Sequence, residues 1–397
     1  MTERTDWTAF AVALCAGIVA AAFVGKLPPA LPALKAEFGL SLVAAGWVVS
    51  MFNVIAIVGA LFFGLFADRI GALRACLLGL ALLAFGGTIG ALADGSAMLL
   101  ASRFIEGAGF ICIAVSAPAL IVGAAAARDR RLALGVWSTY MPFGVAATVL
   151  LSAPVMDAAG WRALWGIAIL AAVGCFVAMV ALRGTFRPPA RSSSRRLADL
   201  VAPLRQPAPW VVATAMGMYA LQWMAVMTWL PTFLVQARGT TVLAAASLSA
   251  VFSIVNIIGI LLGTWLMERN VQRGPLIVGT SLLMAACDVA IFSAWAPDPV
   301  RYAAALVMSA FGGIIPAAVM SSSQRYAHSP AQVGGLQGTI VQVSNAGQFA
   351  GPLAVAAVVS ATGRWESGLG VVLAAAGLCL VLGVAVGRLE RRLPPRV

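Results

Sequence analysis

The 397 residues are 61% hydrophobic and only 10% charged, far below the roughly 25% charged fraction of a soluble domain. That composition excludes an ordinary soluble enzyme or binding module and leaves a membrane chain. The net charge of +12 invites a nucleic-acid reading, but no aromatic residues interleave the arginine-rich stretch, so nucleic acid is excluded as a partner and the bilayer is expected instead.

Charge-free runs from Phe38 to Ala67, Ala75 to Ala93, Gly107 to Ala127, Leu132 to Met156 and Ala163 to Leu182 each exceed the roughly 18 residues needed to span a bilayer as helix. Helix one is expected from about Thr8 to Leu31, where Pro28, Pro29 and Pro32 loosen or stop it, and helix two around Trp47 to Ala67. The stretch Gly64-Leu-Phe-Ala-Asp68-Arg69-Ile-Gly71-Ala-Leu-Arg74 then reads as a tight cytoplasmic turn. Gly64 and Gly71 permit close approach and a left-handed conformation, while Asp68 and Arg69 are suited to pair with helix ends. Helices three and four join at Asp94-Gly95-Ser96, four and five at Arg128 to Arg131, and five and six at Asp157 to Arg162.

Residues 183–208 change character, with six arginines, a triple serine and several prolines, and read as a basic cytoplasmic linker lying on anionic lipid. The chain after it repeats the chain before it. A shift of 203 places Lys26-Leu-Pro28 on Trp229-Leu-Pro231, Asn53 on Asn256, Gly135 on Gly338 and Gly160 on Gly363, and the charged turn recurs with a small gap as Glu268-Arg269. The predicted architecture is an all-α membrane protein of twelve transmembrane helices in two six-helix pseudo-repeat bundles, 1–182 and 209–397. With the amino terminus cytoplasmic, 19 of the 26 Lys and Arg fall on the cytoplasmic side, which supports the count, both termini inside, and an inner-membrane, multi-pass location. The first apolar run lacks a convincing cleavage site, so no removable signal peptide is expected.

At the turn from Gly64 to Arg74 the sequence resembles the major facilitator superfamily, whose loop between helices two and three reads G-x-x-x-D-R-x-G-R/K-x-R/K; Ala72 stands where a basic residue is usual. Arg103-Phe-Ile-Glu106-Gly107-Ala-Gly109 resembles a second pattern of that family, R-x-x-E/Q-G-x-G. The layout is similar to the cyanate-permease and nitroimidazole-transporter branch, through Lys26 before Pro28 and Trp229-Leu-Pro231-Thr-Phe233. The helix-five G-x-x-x-G-P of drug/proton antiporters is absent there and occurs as Gly347 to Pro352 in helix eleven. The resemblance implies alternating access around a midplane site, with the turn residues Gly64, Asp68, Arg69, Gly71, Arg74, Glu268 and Arg269 as the conformational gate.

Several intramembrane residues are candidates for that site. Arg103 and Glu106 share one helix face at i,i+3, so Glu106 exchanges a proton with Arg103 as its modulator, or the two form a self-neutralising structural pair. Lys26 either faces a cavity and draws an anion or snorkels to the nearby outer end of helix one. Gln222, Trp223 and Trp229 offer polar and aromatic groups around Pro231, with interfacial anchoring as the alternative for Trp229. Gln337, Gln342, Asn345 and Gln348 present amides on helix eleven, for ligand or for interhelical bonding. Tyr140 is the candidate of helix five, and Asp288 of helix nine is read as structural or lipid-boundary. His328 is expected in a cytoplasmic turn. The six cysteines are packing residues without ligand spacing, and no metal set, phosphate-binding glycine loop or nucleophile elbow is present, so neither an enzyme nor a cofactor is expected. The sequence thus predicts a monomeric, proton-coupled secondary transporter of a small anionic or polar metabolite, with drug or metabolite/proton efflux as the alternative.

Overall fold

A computed structural model describes residues 4–186, 202–293, 295–327 and 330–391. Most of the linker, 187–201, lies outside the described residues, as does His328. Among the described residues every regular element is a helix. In chain order these are α1 (Trp7–Gly25), α2 (Leu27–Phe38), α3 (Leu42–Ile70), α4 (Ala72–Ala91), α5 (Ser96–Ala124), α6 (Arg130–Trp137) and α7 (Tyr140–Ala181). After the linker follow α8 (Pro207–Arg238), α9 (Val242–Glu268), α10 (Arg273–Phe292), α11 (Asp298–Gly312), α12 (Ile314–Tyr326), α13 (Pro330–Thr362) and α14 (Gly368–Arg391).

Ten segments of the described chain are long and apolar enough to cross a membrane. The longest, Leu132–Ala181, is two crossings, because Gly160 breaks α7 with φ 74 and ψ 174. The 33-residue α13 is long enough for another crossing and falls outside the ten because glutamines and an asparagine dilute its apolar run. Twelve crossings result, as ten plus one plus one.

The corners are set by backbone chemistry. All residues with positive φ among those described fall into pairs across the repeat: Gly39 with Gly239, Gly71 with Asn270, and Gly160 with Gly363, at separations of 200, 199 and 203. Each follows or interrupts a helix: Gly39 is in the left-handed helical region at the end of α2, while Gly71 and Gly160 take extended positive-φ conformations open in practice to glycine alone. The predicted eleven-residue turn is therefore shorter than expected. Residues 64–70 are the last two turns of α3, Gly64 is helical, and the corner is Gly71 alone, at φ 91.

Helix one also departs from expectation. The prolines do not stop it; α1 ends at Gly25, and Pro28 and Pro29 occupy the first turn of α2, where a missing N–H costs least. The chain continues helically through Pro32 to Phe38. Pro28 and Pro29 cannot donate to carbonyls four residues back, so the ladder is interrupted around Lys26.

The chain divides into two compact units, Met1–Ser194 with Pro231–Ala250, and Arg195–Leu230 with Val251–Val397. In the first unit α5 packs on α3 and α4, and α7 on α1 and α4. Small residues let backbones meet, the usual means of helix association in lipid. A Cβ on Gly107 would collide with the carbonyl of Phe52, and one on Gly144 with the carbonyl of Ile18. In the second unit α10 packs on α14 and α11, and a Cβ on Gly347, the repeat mate of Gly144, would collide with the carbonyl of Gly217.

Candidate functional site

The first unit contains a completely buried charge cluster. The loosened ladder at Lys26 puts its side chain beside α5, where Lys26 Nζ donates to Glu106 Oε1 at 2.7 Å. Arg103, one turn before Glu106, donates from Nη1 to Glu106 Oε2 and to the carbonyl of Phe23 at 2.9 Å. Both carboxylate oxygens are thus held by cations. Aromatic faces complete the enclosure, with Lys26 Nζ 4.0 Å from the Phe23 ring centroid and 4.5 Å from that of Trp165, and the Arg103 guanidinium 4.4 Å from that of Phe52. Such contacts substitute in part for lost water.

This arrangement decides two readings that the sequence left open. Lys26 does not snorkel, since none of it is exposed. The expected i,i+3 pair of Arg103 and Glu106 exists, but it is not self-neutralising, because Lys26 joins it. With all three groups ionised the cluster carries one net positive charge, and no further carboxylate lies within ion-pair distance of it among the described residues. Arg103 Nε and Trp165 Nε1 are buried without a hydrogen-bond partner. The cluster thus sets two buried cationic side chains against one carboxylate, with unpartnered donors beside them.

Asn53 of α3 is also buried, with its amide nitrogen unpartnered, and Tyr140 is half-buried, stacked on Trp137 with centroids 4.2 Å apart. The second unit carries a neutral counterpart of the charge cluster. Asn256, the mate of Asn53, donates to Tyr219 Oη at 3.0 Å and to the carbonyl of Ser309 at 2.8 Å. Trp223 Nε1 donates to Ser309 Oγ at 3.1 Å, and its ring stacks on Phe252. Ser309 stands 203 residues after Glu106, so a hydroxyl takes the carboxylate's place. This node was missed in the sequence because Ser309 sits in an apolar run with no charge to mark it.

The other candidates of that unit are more self-contained. Gln222 is buried and donates to Met218 O of its own helix at 3.2 Å, with its carbonyl oxygen unpartnered. Trp229 is enclosed by protein: it is 3% exposed, donates to the carbonyl of Pro352 at 3.0 Å and packs by its ring on Trp365. Asn345 donates to Val341 O at 2.8 Å, and Gln342 is half-buried. Gln337 reaches Ser323 and Gln348 reaches Ser344, each at 3.4 Å, the interhelical or local bonding weighed against ligand contact. Asp288 is not at a lipid boundary; it is fully buried.

Of the gate residues, Arg69 and Arg74 are exposed at either side of Gly71, and the Asp68 side chain lies outside what is described. Glu268 ends α9, and Arg269 lies over Trp265 at 4.3 Å. One ionic latch was not anticipated. Glu37 at the end of α2 accepts from Trp161 Nε1 at 2.7 Å and pairs with Arg162 Nη1 at 2.7 Å, while Arg162 also donates to the carbonyls of Ala91 and Ala93. It ties the ends of α2 and α4 to the bend at Gly160. The signal available in sequence was an opposite charge on each of two connections.

Comparison with known proteins bears on the fold and the family. A bacterial homolog to the human lysosomal transporter Spinster, solved inward-facing and unoccupied, superposes with a TM-score of 0.81 over all of both chains at 16% identity, which shows the same fold. The arabinose-proton symporter of Escherichia coli (strain K12) is 26% identical over 181 residues, 46% of this chain and 38% of that protein. Cephamycin export protein CmcT of Amycolatopsis lactamdurans is 30% identical over 198 residues, 49% of this chain and 40% of that protein. The aligned stretch thus spans about two fifths of the length of these curated relatives. The model of the Major Facilitator Superfamily matches residues 12–346. With its apolar crossings, duplicated corners and all-helical units, the chain is a multi-pass membrane protein that belongs to the Major Facilitator Superfamily.

Proposed function

We propose that the protein is a proton-coupled secondary transporter that moves a small anionic or polar metabolite across a bacterial-type inner membrane by alternating access, as a monomer with both termini cytoplasmic. The observation that carries the anionic reading is the net positive charge of the buried Lys26, Glu106 and Arg103 cluster. An arriving anion replaces Glu106 as partner of one cation, and the released carboxylate then takes a proton. Anion and proton thus occupy the cluster together and leave it together. Arg103 modulates Glu106; Tyr140 is a further substrate-binding candidate of the first unit, and Gln222, Trp223, Trp229, Gln342 and Asn345 are the substrate-binding candidates of the second. Gly64, Asp68, Arg69, Gly71 and Arg74 of the first unit, and Glu268 and Arg269 of the second, are each unit's gate residues. Lys26 before Pro28 and the Trp229 to Phe233 stretch support placement near the cyanate-permease and nitroimidazole-transporter branch, and residues 1–182, 183–208 and 209–397 serve as bundle, linker and bundle.

A second reading is efflux of a drug or metabolite in exchange for protons. It draws on relatives named as a cephamycin exporter and as the multidrug resistance protein Stp of Mycobacterium tuberculosis. A thermal-shift screen of the purified protein against small anions and lipophilic cations, with Lys26→Met alongside, separates the two. Stabilisation by one anion that is lost in the variant supports uptake. Stabilisation by lipophilic cations alone, unchanged in the variant, sinks the anion reading in favour of efflux.

A further inference from the structure

Asp288 is the reverse of Glu106. It lies on α10, four residues or about 6 Å before that helix ends, and no part of it is exposed. Neither carboxylate oxygen has a hydrogen-bond partner among the described residues. One turn earlier, Met284 packs beside Gly312 of α11, the glycine that Tyr219 also approaches, so the acid belongs to the interior of the second unit.

Several charged groups on the elements packed against α10 are engaged elsewhere. Arg301 of α11 donates to the carbonyls of Ala296 at 2.9 Å and Ile291 at 3.1 Å and to that of Ser293, and lies 4.0 Å from Asp298. Glu390 of α14 pairs with Arg273 at 2.8 Å, at the opposite end of α10. Tyr326 of α12 and Cys379 of α14 lie outside hydrogen-bond reach of Asp288, and Glu366 of the turn 365–367 lies beside Arg364. A buried carboxylate with neither a hydrogen-bond partner nor an ion pair among the described residues is costly to ionise.

We propose that Asp288 is a proton-binding site of the second unit, holding its proton as the neutral acid in this conformation and independent of Glu106. Within a membrane-spanning helix such an acid exchanges its proton only when rearrangement admits water.

The test is infrared spectroscopy of the purified full-length protein at neutral pH, comparing the wild type with Asp288→Asn, Asp288→Glu and Glu106→Gln. The expected result is a neutral-acid carbonyl band that is lost in Asp288→Asn, shifted in Asp288→Glu and kept in Glu106→Gln. Asp288→Asn mimics the protonated group and is expected to melt within about 2 °C of the wild type, the size of a minor stability change in a chain this long. Asp288→Glu keeps the acid should the amide fail to fold. A wild-type spectrum without that band, or a carboxylate band at Asp288 with melting that rises in sodium, overturns the proposal, the latter in favour of a bound metal cation. Because no substrate is involved, failure here leaves the anion screen unaffected, and the reverse also holds.

Discussion

Glu106 and Ser309 occupy one position in two copies of the same repeat, 203 residues apart, and each is the buried centre of its own unit's polar contacts. Around Glu106 the partners are a lysine and an arginine; around Ser309 they are a tryptophan indole and the backbone of Phe252. Duplication preserved the place and changed the charge. The first unit therefore presents ionisable side chains at a point where the second presents a hydroxyl and an indole.

Removing the carboxylate should cost more than removing either cation. Glu106→Gln leaves two buried cations uncompensated, an effect on the order of 3–5 kcal/mol, whereas Lys26→Met leaves the Arg103 and Glu106 pair intact and neutral. Thermal melting in detergent checks the order. Equal melting of both variants would mean that the cluster is solvated and that its net charge attracts nothing.

Glycine contacts predict a second contrast. Gly347→Ala forces a methyl group into the carbonyl of Gly217 and should destabilise by at least about 1–3 kcal/mol, with reduced yield of folded protein. Gly166→Ala, in α7 with nothing within 4 Å of the added carbon, should be neutral or gain up to about 1 kcal/mol from helix propensity. Folded yield by size-exclusion chromatography reads both.

The matched corners behave differently. Gly71 has φ 91 and ψ 143, outside the region that other residues use, so Gly71→Ala should cost about 1–3 kcal/mol. Asn270, at φ 57, already bears a side chain in the left-handed well, and Asn270→Gly should change melting little. A larger loss at 270 than at 71 would refute the assignment of these residues as equivalent corners.

At the far end of the first unit, Glu37→Gln keeps an acceptor for Trp161 but gives up the charge facing Arg162, and Glu37→Ala gives up both. The side chains of Glu37 and Arg162 are 38% and 47% exposed, so the ionic part is worth at most about 1 kcal/mol and weakens with salt. The alanine variant should melt lower than the glutamine variant, and the gap between wild type and glutamine should close at high salt. A gap unaffected by salt would assign the latch to the indole alone.

Local chemistry was legible from sequence and distant pairing was not. Charge-free runs, the 203-residue offset and the i,i+3 spacing of Arg103 and Glu106 gave the helices, the duplication and one ion pair. Lys26 and Glu106 lie 80 residues apart, and only the packing of α1 on α5 joins them. Snorkelling at Lys26 and anchoring at Trp229 were reasonable for residues near a helix end, since linear distance to an end says nothing about which face a side chain takes. Gly64 was assigned to a turn on its glycine character, but helix packing overrode propensity there.

Pro28 and Pro29 withhold the donors that the carbonyls of Val24 and Gly25 would otherwise receive, and next to them Arg103 donates to the carbonyl of Phe23. The same guanidinium group holds Glu106. A ligand that draws Arg103 toward itself therefore also withdraws a brace from the backbone, and the helix becomes more compliant just where its ladder is thinnest. On the proposed anion reading, occupancy of the cluster would change the stiffness of this helix, and amide exchange near residues 23–27 would register the change.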